Sequence, residues 1–357
     1  MSLLASQKLK VLVVDDMLTY RTILTHVLNE LEHVEVSGTA SNGKLALEAM
    51  EKSPADLVLI DLEMPVMGGL EVLPELRQKY PKSKVVLISS ASQSSTDLTL
   101  QALQAGALDF IQKPSQGSLN DNLEALRQKL QAIIKTCLEN KLPTHRPITP
   151  TKPVAVTHNR SSVEKIDVVV IGVSTGGPNA LAEVIPKLPA TFEAPVLIVQ
   201  HMPAMFTESL ANMLNKKSAL HVKEAQQDEP IQAGTIYIAP GGRHMKVGFN
   251  VYKQPIVLLT DTEPVNSCRP SVDVLFQSIP PVYGNRVLSV IMTGMGNDGL
   301  NGVRELKVLG CHSITQTANT CVVYGMPKAV DDENLSDEKV DLPDLAGRIT
   351  ELVRKHR

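Results

Sequence analysis

Val168-Val169-Val170-Ile171-Gly172-Val173-Ser174-Thr175-Gly176-Gly177-Pro178 is the segment from which the fold of this chain can be read outward. Val168 to Ile171 is a β-branched run, the composition of a strand buried on both faces of a parallel sheet. It leads into Gly-x-Ser-Thr-Gly-Gly, where glycine admits backbone conformations closed to other residues, and the residues from Asn179 onward read as a helix. A strand, a tight turn and a helix would set Ser174 at the carboxyl end of the strand among amide N–H groups. That geometry suits a nucleophile elbow, in which an exposed hydroxyl lies beside donors for an oxyanion. It equally suits an anion-binding βα turn, and this stretch alone leaves both readings open.

The chain on the carboxyl side continues in the same style. Pro195 to Val199 reads as an apolar strand running into Gln200-His201-Met202-Pro203, and Phe206 to Leu214 as a helix. Gly234 to Ala239 is a further strand, ending in Pro240-Gly241-Gly242-Arg243-His244, and Lys246 to Leu259 has the pattern of a β-hairpin. Pro270 to Gln277 opens a helix, Val287 to Met292 is a strand ending in the loop Thr293 to Gly299, and Leu300 to Leu309 is the helix after it. Cys311 to Thr315 and Cys321 to Val323 are short strand candidates, and Leu342 to His356 is a terminal helix.

Strand ends in this region therefore present Ser174, His201 and Asp298. A serine hydroxyl needs a base, a neutral imidazole serves near pH 7, and a carboxylate on the far nitrogen fixes the tautomer. His244 also follows a strand and a Gly-Gly turn and is the rival base, while Asp261 and Asp273 are rival acids without a glycine-flanked loop. Cys268 has no elbow around it and reads as structural, and His221 and His312 as surface or packing residues.

Toward the amino terminus five βα units repeat. Leu9 to Val14 ends in Asp15-Asp16, Asp56 to Ile60 ends in Asp61, Lys84 to Ile88 ends in Ser89-Ser90, and Ala107 to Ile111 ends in Gln112-Lys113-Pro114. Val34 to Gly38 supplies the remaining strand, with helices over Thr19 to Leu31, Gly43 to Lys52, Gly68 to Lys79, Thr96 to Gln104 and Leu119 to Leu138. Repeated βα units give a parallel sheet with helices on both faces and function beyond the carboxyl strand ends. Asp15, Asp16 and Asp61 would converge there as a carboxylate cluster that suits Mg²⁺, with Ser89 and Lys113 placed to hold a dianion formed on Asp61.

Residues 139 to 165 form a linker by composition, with Pro143, Pro147, Pro150 and Pro153 among Thr, His, Arg and Lys. The chain thus divides into a domain over 1–138, the linker over 139–165 and a second domain over 166–357. The net charge of −3 and the lack of a basic helix-turn-helix stretch argue against a DNA-binding output and against nucleic-acid partners. No apolar run is long enough for membrane insertion, and Met1 to Lys10 lacks an apolar signal region. The four cysteines lack metal-ligand spacing and read as reduced thiols of a cytoplasmic protein. A nucleotide-binding module is disfavoured because no Gly-Lys-Ser/Thr follows Gly172 to Gly177.

Residues 1–138 resemble the response-regulator receiver domain, a flavodoxin-like fold of five parallel strands. The resemblance implies phosphorylation of Asp61, Mg²⁺ held with Asp15 and Asp16, phosphoryl sensing by Ser89 and Lys113, a switch aromatic at Phe110 and a cis Lys113–Pro114 bond. In the second domain, Gly-Val-Ser-Thr-Gly-Gly-Pro (172–178), Gln-His-Met-Pro (200–203), Ala-Pro-Gly-Gly-Arg-His (239–244), Arg-Pro-Ser-Val-Asp (269–273) and Met-Thr-Gly-Met-Gly-Asn-Asp-Gly (292–299) resemble the chemotaxis protein-glutamate methylesterase family, CheB. That resemblance implies a doubly wound parallel α/β domain with Ser174 as nucleophile, His201 as base and Asp298 as its partner. It further implies Met295 N–H as an oxyanion donor, with Thr175 and Arg243 lining the site, and no metal or cofactor in this domain. The implied substrates are methyl-accepting chemoreceptors, whose glutamyl methyl esters are hydrolysed and certain glutamines deamidated. A chemotaxis histidine kinase is the implied phosphodonor, and the unphosphorylated receiver is expected to block the crevice until Asp61 is phosphorylated.

Overall fold

Leu9–Val14, expected as the first strand, is β1 in the computed structural model of the chain, which describes residues 8–90, 92–113, 118–139 and 165–355. The chain divides into two compact units, Met1–Thr149 and Pro150–Arg357. The expected cis bond at Lys113–Pro114 and nearly all of the linker over 139–165 lie outside the described residues.

In the first unit the further strands are β2 (Val34–Ala40), β3 (Leu57–Asp61), β4 (Lys84–Ser89) and β5 (Asp109–Gln112). The helices are α1 (Leu18–Asn29), α2 (Gly43–Lys52), α3 (Gly69–Lys79), α4 (Gln93–Gln104) and α5 (Leu119–Glu139). The Asn42 side chain accepts Leu45 N–H to start α2, and the Ser92 hydroxyl accepts Ser95 N–H to start α4. All strand pairings are parallel, in the order β2-β1-β3-β4-β5. The chain turns back between β1 and β3, so Asp15 and Asp61 face each other across the switch point of the sheet. Val11, Val13, Leu57, Leu59, Val86 and Ile88 pack beneath α1 and α5 with Leu24, Leu28, Leu130 and Ile134.

The second unit opens with β6 (Val168–Val173), every residue of which is buried, followed by α6 (Gly177–Val184). Next come β7 (Val196–Gln200), α7 (Phe206–Asn215), β8 (His221–Glu224), β9 (Thr235–Ile238), and an antiparallel hairpin of β10 (His244–Phe249) and β11 (Pro255–Thr260). After α8 (Val272–Ser278) and the short α9 (Pro280–Tyr283) follow β12 (Val287–Ile291), α10 (Leu300–Val308), β13 (His312–Gln316), α11 (Met326–Asp332), β14 (Glu338–Val340) and α12 (Leu342–Lys355). Seven parallel strands lie in the order β14-β13-β12-β6-β7-β9-β8, so the expected doubly wound parallel sheet is present.

The carboxyl ends of β12, β6 and β7 are neighbours in this order, although the chain reaches β12 more than a hundred residues after β6. Loops following those strands carry Asp298, Ser174 and His201. The expected strand at Cys321 to Val323 does not form. That segment is a loop instead, because Thr293 Oγ1 and Gly294 engage its backbone: Val323 N–H donates to Thr293 Oγ1 at 3.0 Å and Gly294 N–H to Val323 O at 3.0 Å.

Candidate active site

The turn after β6 is shaped by two constraints. Gly176 has φ +78, the left-handed region that disfavours side-chain-bearing residues, and Gly177 N–H donates back to Ser174 O at 2.7 Å. Ser174 N–H donates to Thr293 O at 3.0 Å, and the Gln200 amide donates to Ser174 O at 3.0 Å. Ser174 is thus held from both flanking strand ends. A Cβ added at Gly294 would lie 2.8 Å from the Ser174 Cβ, so the loop after β12 backs directly onto the serine.

His201 N–H donates to Val173 O at 3.2 Å, which sets the histidine beside the elbow. Its Nε2 lies 2.8 Å from Asp298 Oδ2. A carboxylate only accepts, so Nε2 carries the proton there and Nδ1 is the acceptor nitrogen of the neutral ring.

Asp298 is 3 % exposed, yet both of its oxygens are saturated with donors. Oδ1 accepts from Ser271 Oγ at 2.8 Å, Asn266 Nδ2 at 2.8 Å and Asp273 N–H at 3.2 Å; Oδ2 accepts from Val272 N–H at 2.6 Å and from His201. Burial by itself would raise the Asp298 pKa, but these bonds and the His201 charge outweigh it and hold the carboxyl below the usual range. Burial likewise opposes charge on His201, but the hydrogen bonds that the protonated ring donates to Asp298 and Cys268, with their negative charges, outweigh it and raise the imidazole above its ordinary value.

The rival base and acids have other roles. His244 is fully buried, its Nδ1 accepting Ser271 N–H at 3.2 Å and its Nε2 lying 3.1 Å from Glu263 O, so it buttresses the residue that holds Asp298. Asp273 accepts from Gly302 N–H, Asn301 and Asn266 and ties α8 to α10. Asp261 accepts from Arg243 Nε at 2.9 Å, which draws Arg243 to the base of the hairpin; among the described residues no hydrogen bond of Arg243 reaches Ser174, His201 or Asp298. Thr175 is buried and its carbonyl accepts from Thr293 Oγ1 at 3.0 Å. Met295 is half-buried in the loop against Ser174, and its N–H has no acceptor among the described residues.

The serine, histidine and aspartate are brought to adjacent loops, but no hydrogen bond joins Ser174 Oγ to His201 among the described residues. Cys268 Sγ lies 3.6 Å from His201 Nδ1 instead. Cys268, which reads as structural in the sequence, stands at the imidazole because its turn, remote in sequence from both β6 and β7, folds back onto it. Gln200, Thr293, Gly294, Asn266 and Ser271, to which the sequence assigns no catalytic role, also support the site. Gln200, Ser271, Thr293 and Gly294 lie within the quoted motifs, whereas Asn266 lies outside them and has no such signal in the sequence.

In the first unit the ligand atoms of Asp15, Asp16 and Asp61 lie within 4.8 Å of one another. Lys113 Nζ lies 2.5 Å from Asp61 Oδ2 and 2.8 Å from Asp15 Oδ2. Burial raises the Asp61 pKa, with Lys113 pulling the other way and Asp15 adding to the rise. Asp15 is fully buried, and its Oδ2 has no properly angled hydrogen-bond donor despite the nearby ammonium. Asp16 is exposed. Hard oxygen donors, one of them buried and short of a donor, with an open side for water, fit Mg²⁺. Lys113 also lies 4.8 Å above the Tyr20 ring, whose hydroxyl is pushed up to about 12 by burial and by the Asp15 and Asp61 charges.

Ser89 sits at the end of β4 as expected, but its hydroxyl is engaged with Thr99 Oγ1 at 2.7 Å and with Ser90 O rather than with Asp61. Phe110 is buried in β5, with Lys129 Nζ 5.1 Å from its ring centre.

Comparison with known proteins agrees with this division. The CheB methylesterase domain description matches residues 169–349, and the response regulator receiver domain description matches residues 11–125. A Desulfotalea psychrophila protein named protein-glutamate methylesterase/protein-glutamine glutaminase is 43% identical over 98% of this chain and 99% of its own length. A Halalkalibacterium halodurans protein of the same name is 41% identical over 96% of this chain and 97% of its own. The crystal structure of the Thermotoga maritima CheB methylesterase catalytic domain superposes with a TM-score of 0.51 and 40% identity, covering 53% of this chain and all of that one. With a receiver-type sheet followed by a sheet that gathers serine, histidine and aspartate at neighbouring strand ends, the chain belongs to the CheB methylesterase family.

Proposed function

We propose that this chain is a phosphorylation-activated protein-glutamate methylesterase and protein-glutamine glutaminase, acting in the cytoplasm on methyl-accepting chemoreceptors during chemotactic adaptation. In this reading residues 1–138 are the receiver, 139–165 the connection and 166–357 the catalytic domain. The observation that supports it is the saturated Asp298 carboxylate, which holds His201 by Nε2 and leaves Nδ1 as the ring nitrogen able to take a proton, on a loop adjacent to that of Ser174.

Ser174 Oγ attacks the γ-carbonyl carbon of a glutamyl methyl ester while His201 Nδ1 accepts the hydroxyl proton. The Met295 N–H is a donor for the oxyanion of the tetrahedral intermediate. His201 then gives the proton to the departing methoxide, releasing methanol, or to the departing amine of a glutamine, releasing ammonia. Water, deprotonated by the same imidazole, cleaves the acyl-enzyme. Asp298 stabilises the imidazolium throughout. Thr175 and Arg243 act through the walls of the site.

In the receiver, Asp61 is the phospho-acceptor, with a histidine kinase of the chemotaxis system as donor. Asp15, Asp16 and Asp61 would hold Mg²⁺, which when bound neutralises the charge of the incoming phosphoryl group. Lys113 bridges Asp15 and Asp61, which supports its role in holding the phosphoryl oxygens. Ser89 must leave Thr99 to join them, and Phe110 responds to that movement as the switch aromatic.

Methanol release from methylated receptor membranes tests the assignment, with wild type, Ser174→Ala and Asp61→Asn compared with and without a small phosphodonor. Ser174→Ala should be inert, and Asp61→Asn should show a basal rate that the donor does not raise. Release of methanol by Ser174→Ala at the wild-type rate would overturn the serine assignment, and stimulation of Asp61→Asn would overturn the phospho-acceptor.

A further inference from the structure

Cys268 closes a four-residue turn in which Val265 and Cys268 exchange both backbone hydrogen bonds, at 3.1 and 2.9 Å. Asn266 and Ser267 at its tip have φ +53 and +60. The turn grips both members of the His201–Asp298 pair: Asn266 Nδ2 reaches Asp298 Oδ1 at 2.8 Å, and Cys268 Sγ lies 3.6 Å from His201 Nδ1. A nucleophile within reach of an imidazole that is itself oriented by a carboxylate is the arrangement that makes a side chain reactive. Among the described residues it is the thiol of Cys268, not the hydroxyl of Ser174, that completes this relay.

The remaining cysteines differ. Cys137 and Cys311 are buried, and burial pushes the Cys311 thiol up to about 11. Cys321 is partly exposed like Cys268, but burial and the Asp331 charge push its thiol up to about 12, and its sulfur lies against the Gln316 carbonyl. It is the internal control.

We propose that Cys268 is a second nucleophile served by His201 and Asp298, and that its capping by a soft carbon electrophile or a peroxide shuts off hydrolysis at Ser174. The second clause rests on the serine reading above; the first does not. With iodoacetamide, His201 Nδ1 takes the thiol proton, a bond forms from sulfur to the methylene carbon, and the carbon–iodine bond breaks to release iodide. With hydrogen peroxide the sulfur takes one oxygen, the O–O bond breaks, and the leaving hydroxide collects the proton from His201 as water, giving a sulfenic acid. Either cap stands against Nδ1, where the Ser174 proton must go.

Iodoacetamide labelling of the full-length chain at pH 7, read peptide by peptide in a mass spectrometer alongside methanol release, tests this. Cys268 should label at least about tenfold faster than Cys321, and replacing the base in His201→Gln should remove about tenfold of that rate. Wild-type methanol release should fall in step with Cys268 labelling, while Cys268→Ala should hold its own untreated rate through the same treatment. Labelling of Cys268 no faster than Cys321, or unchanged in His201→Gln, would overturn the second nucleophile. Full methanol release from fully capped enzyme would overturn the shut-off. Labelling of Cys268 in Ser174→Ala separates the two readings: fast labelling in an inert variant supports both, whereas fast labelling in a variant that still hydrolyses the ester sinks the serine assignment alone.

Discussion

Asp61 and Asp298 are both nearly inaccessible carboxylates at or just beyond the carboxyl end of a parallel strand, yet their surroundings push them in opposite directions. Asp61 is raised, because burial outweighs the single ammonium of Lys113 and Asp15 adds a like charge. Asp298 is lowered, because hydrogen bonds to His201, Asn266 and Val272 and the imidazole charge outweigh an equally real burial penalty. The difference is one of vacancy in the donor shell. A carboxylate short of donors attracts a cation and a phosphoryl group, whereas one with a full shell has only the task of orienting an imidazole.

Removing the charge from Asp298 should have the largest effect. Asp298→Asn leaves the shape but loses the tautomer control, and kcat should fall about 10⁴-fold. The pH profile of the same variant sharpens the contrast. In wild type the raised His201 pKa means that the base is released only above the ordinary histidine value near 6.5, so kcat/KM should climb with pH into the alkaline range. Without the Asp298 charge the burial penalty dominates, and the midpoint of the residual activity should move down.

Next in size is Gly294→Ala. Its new Cβ would press on the Ser174 Cβ and on Met326 Sδ, and a displacement of the nucleophile by about 1 Å costs about 10²-fold in kcat. Circular dichroism should remain that of wild type, which separates displacement from unfolding.

A smaller effect should come from Mg²⁺ on thermal stability. At about a hundredfold excess over its Kd, a cation bound only by the folded receiver stabilises it by about 2.7 kcal/mol. Scanning calorimetry should show the receiver transition rise with Mg²⁺ in wild type and stay flat in Asp15→Asn.

The smallest effect tests the signs of the two shifts. Asp298, lowered in the fold, contributes stability that is present above its unfolded pKa near 4 and lost as pH falls through its folded value. Asp61, raised in the fold, does the reverse: its ionisation costs stability as pH rises from its unfolded value through the raised one. At pH 7 Asp61→Asn should therefore raise the receiver transition by about 2–4 °C, and Asp298→Asn should lower that of the catalytic domain. Shifts of the same sign would break the contrast.

Much of this fold is legible in the sequence. Both parallel sheets follow from apolar runs such as Val168–Ile171 and Leu57–Ile60, whose burial on two faces leaves a continuous hydrophobic signal. The short edge strands His221–Glu224 and Glu338–Val340 were missed because they are polar and only partly covered, so they carry no such run. Helix α11 was missed because Met326-Pro327-Lys328 gives little periodicity over seven residues. At the site, Ser174, His201 and Asp298 could be read because each follows a strand. Cys268 and Asn266 could not, since their contacts depend on a turn folding back from another part of the chain. Ser89 illustrates the same limit in the receiver: its position is local, but the choice of Thr99 as partner belongs to the packing of α4.

One hydroxyl, that of Ser174 on the turn after β6, is expected to carry the acyl group. Rapid acid quenching of the full-length enzyme on a methylated receptor peptide, with the proteolytic fragments then weighed, would find the acyl-enzyme directly. The expected result is a peptide adduct on Ser174, absent from Ser174→Ala. An adduct on Cys268, or methanol released at the normal rate by Ser174→Ala, would contradict it.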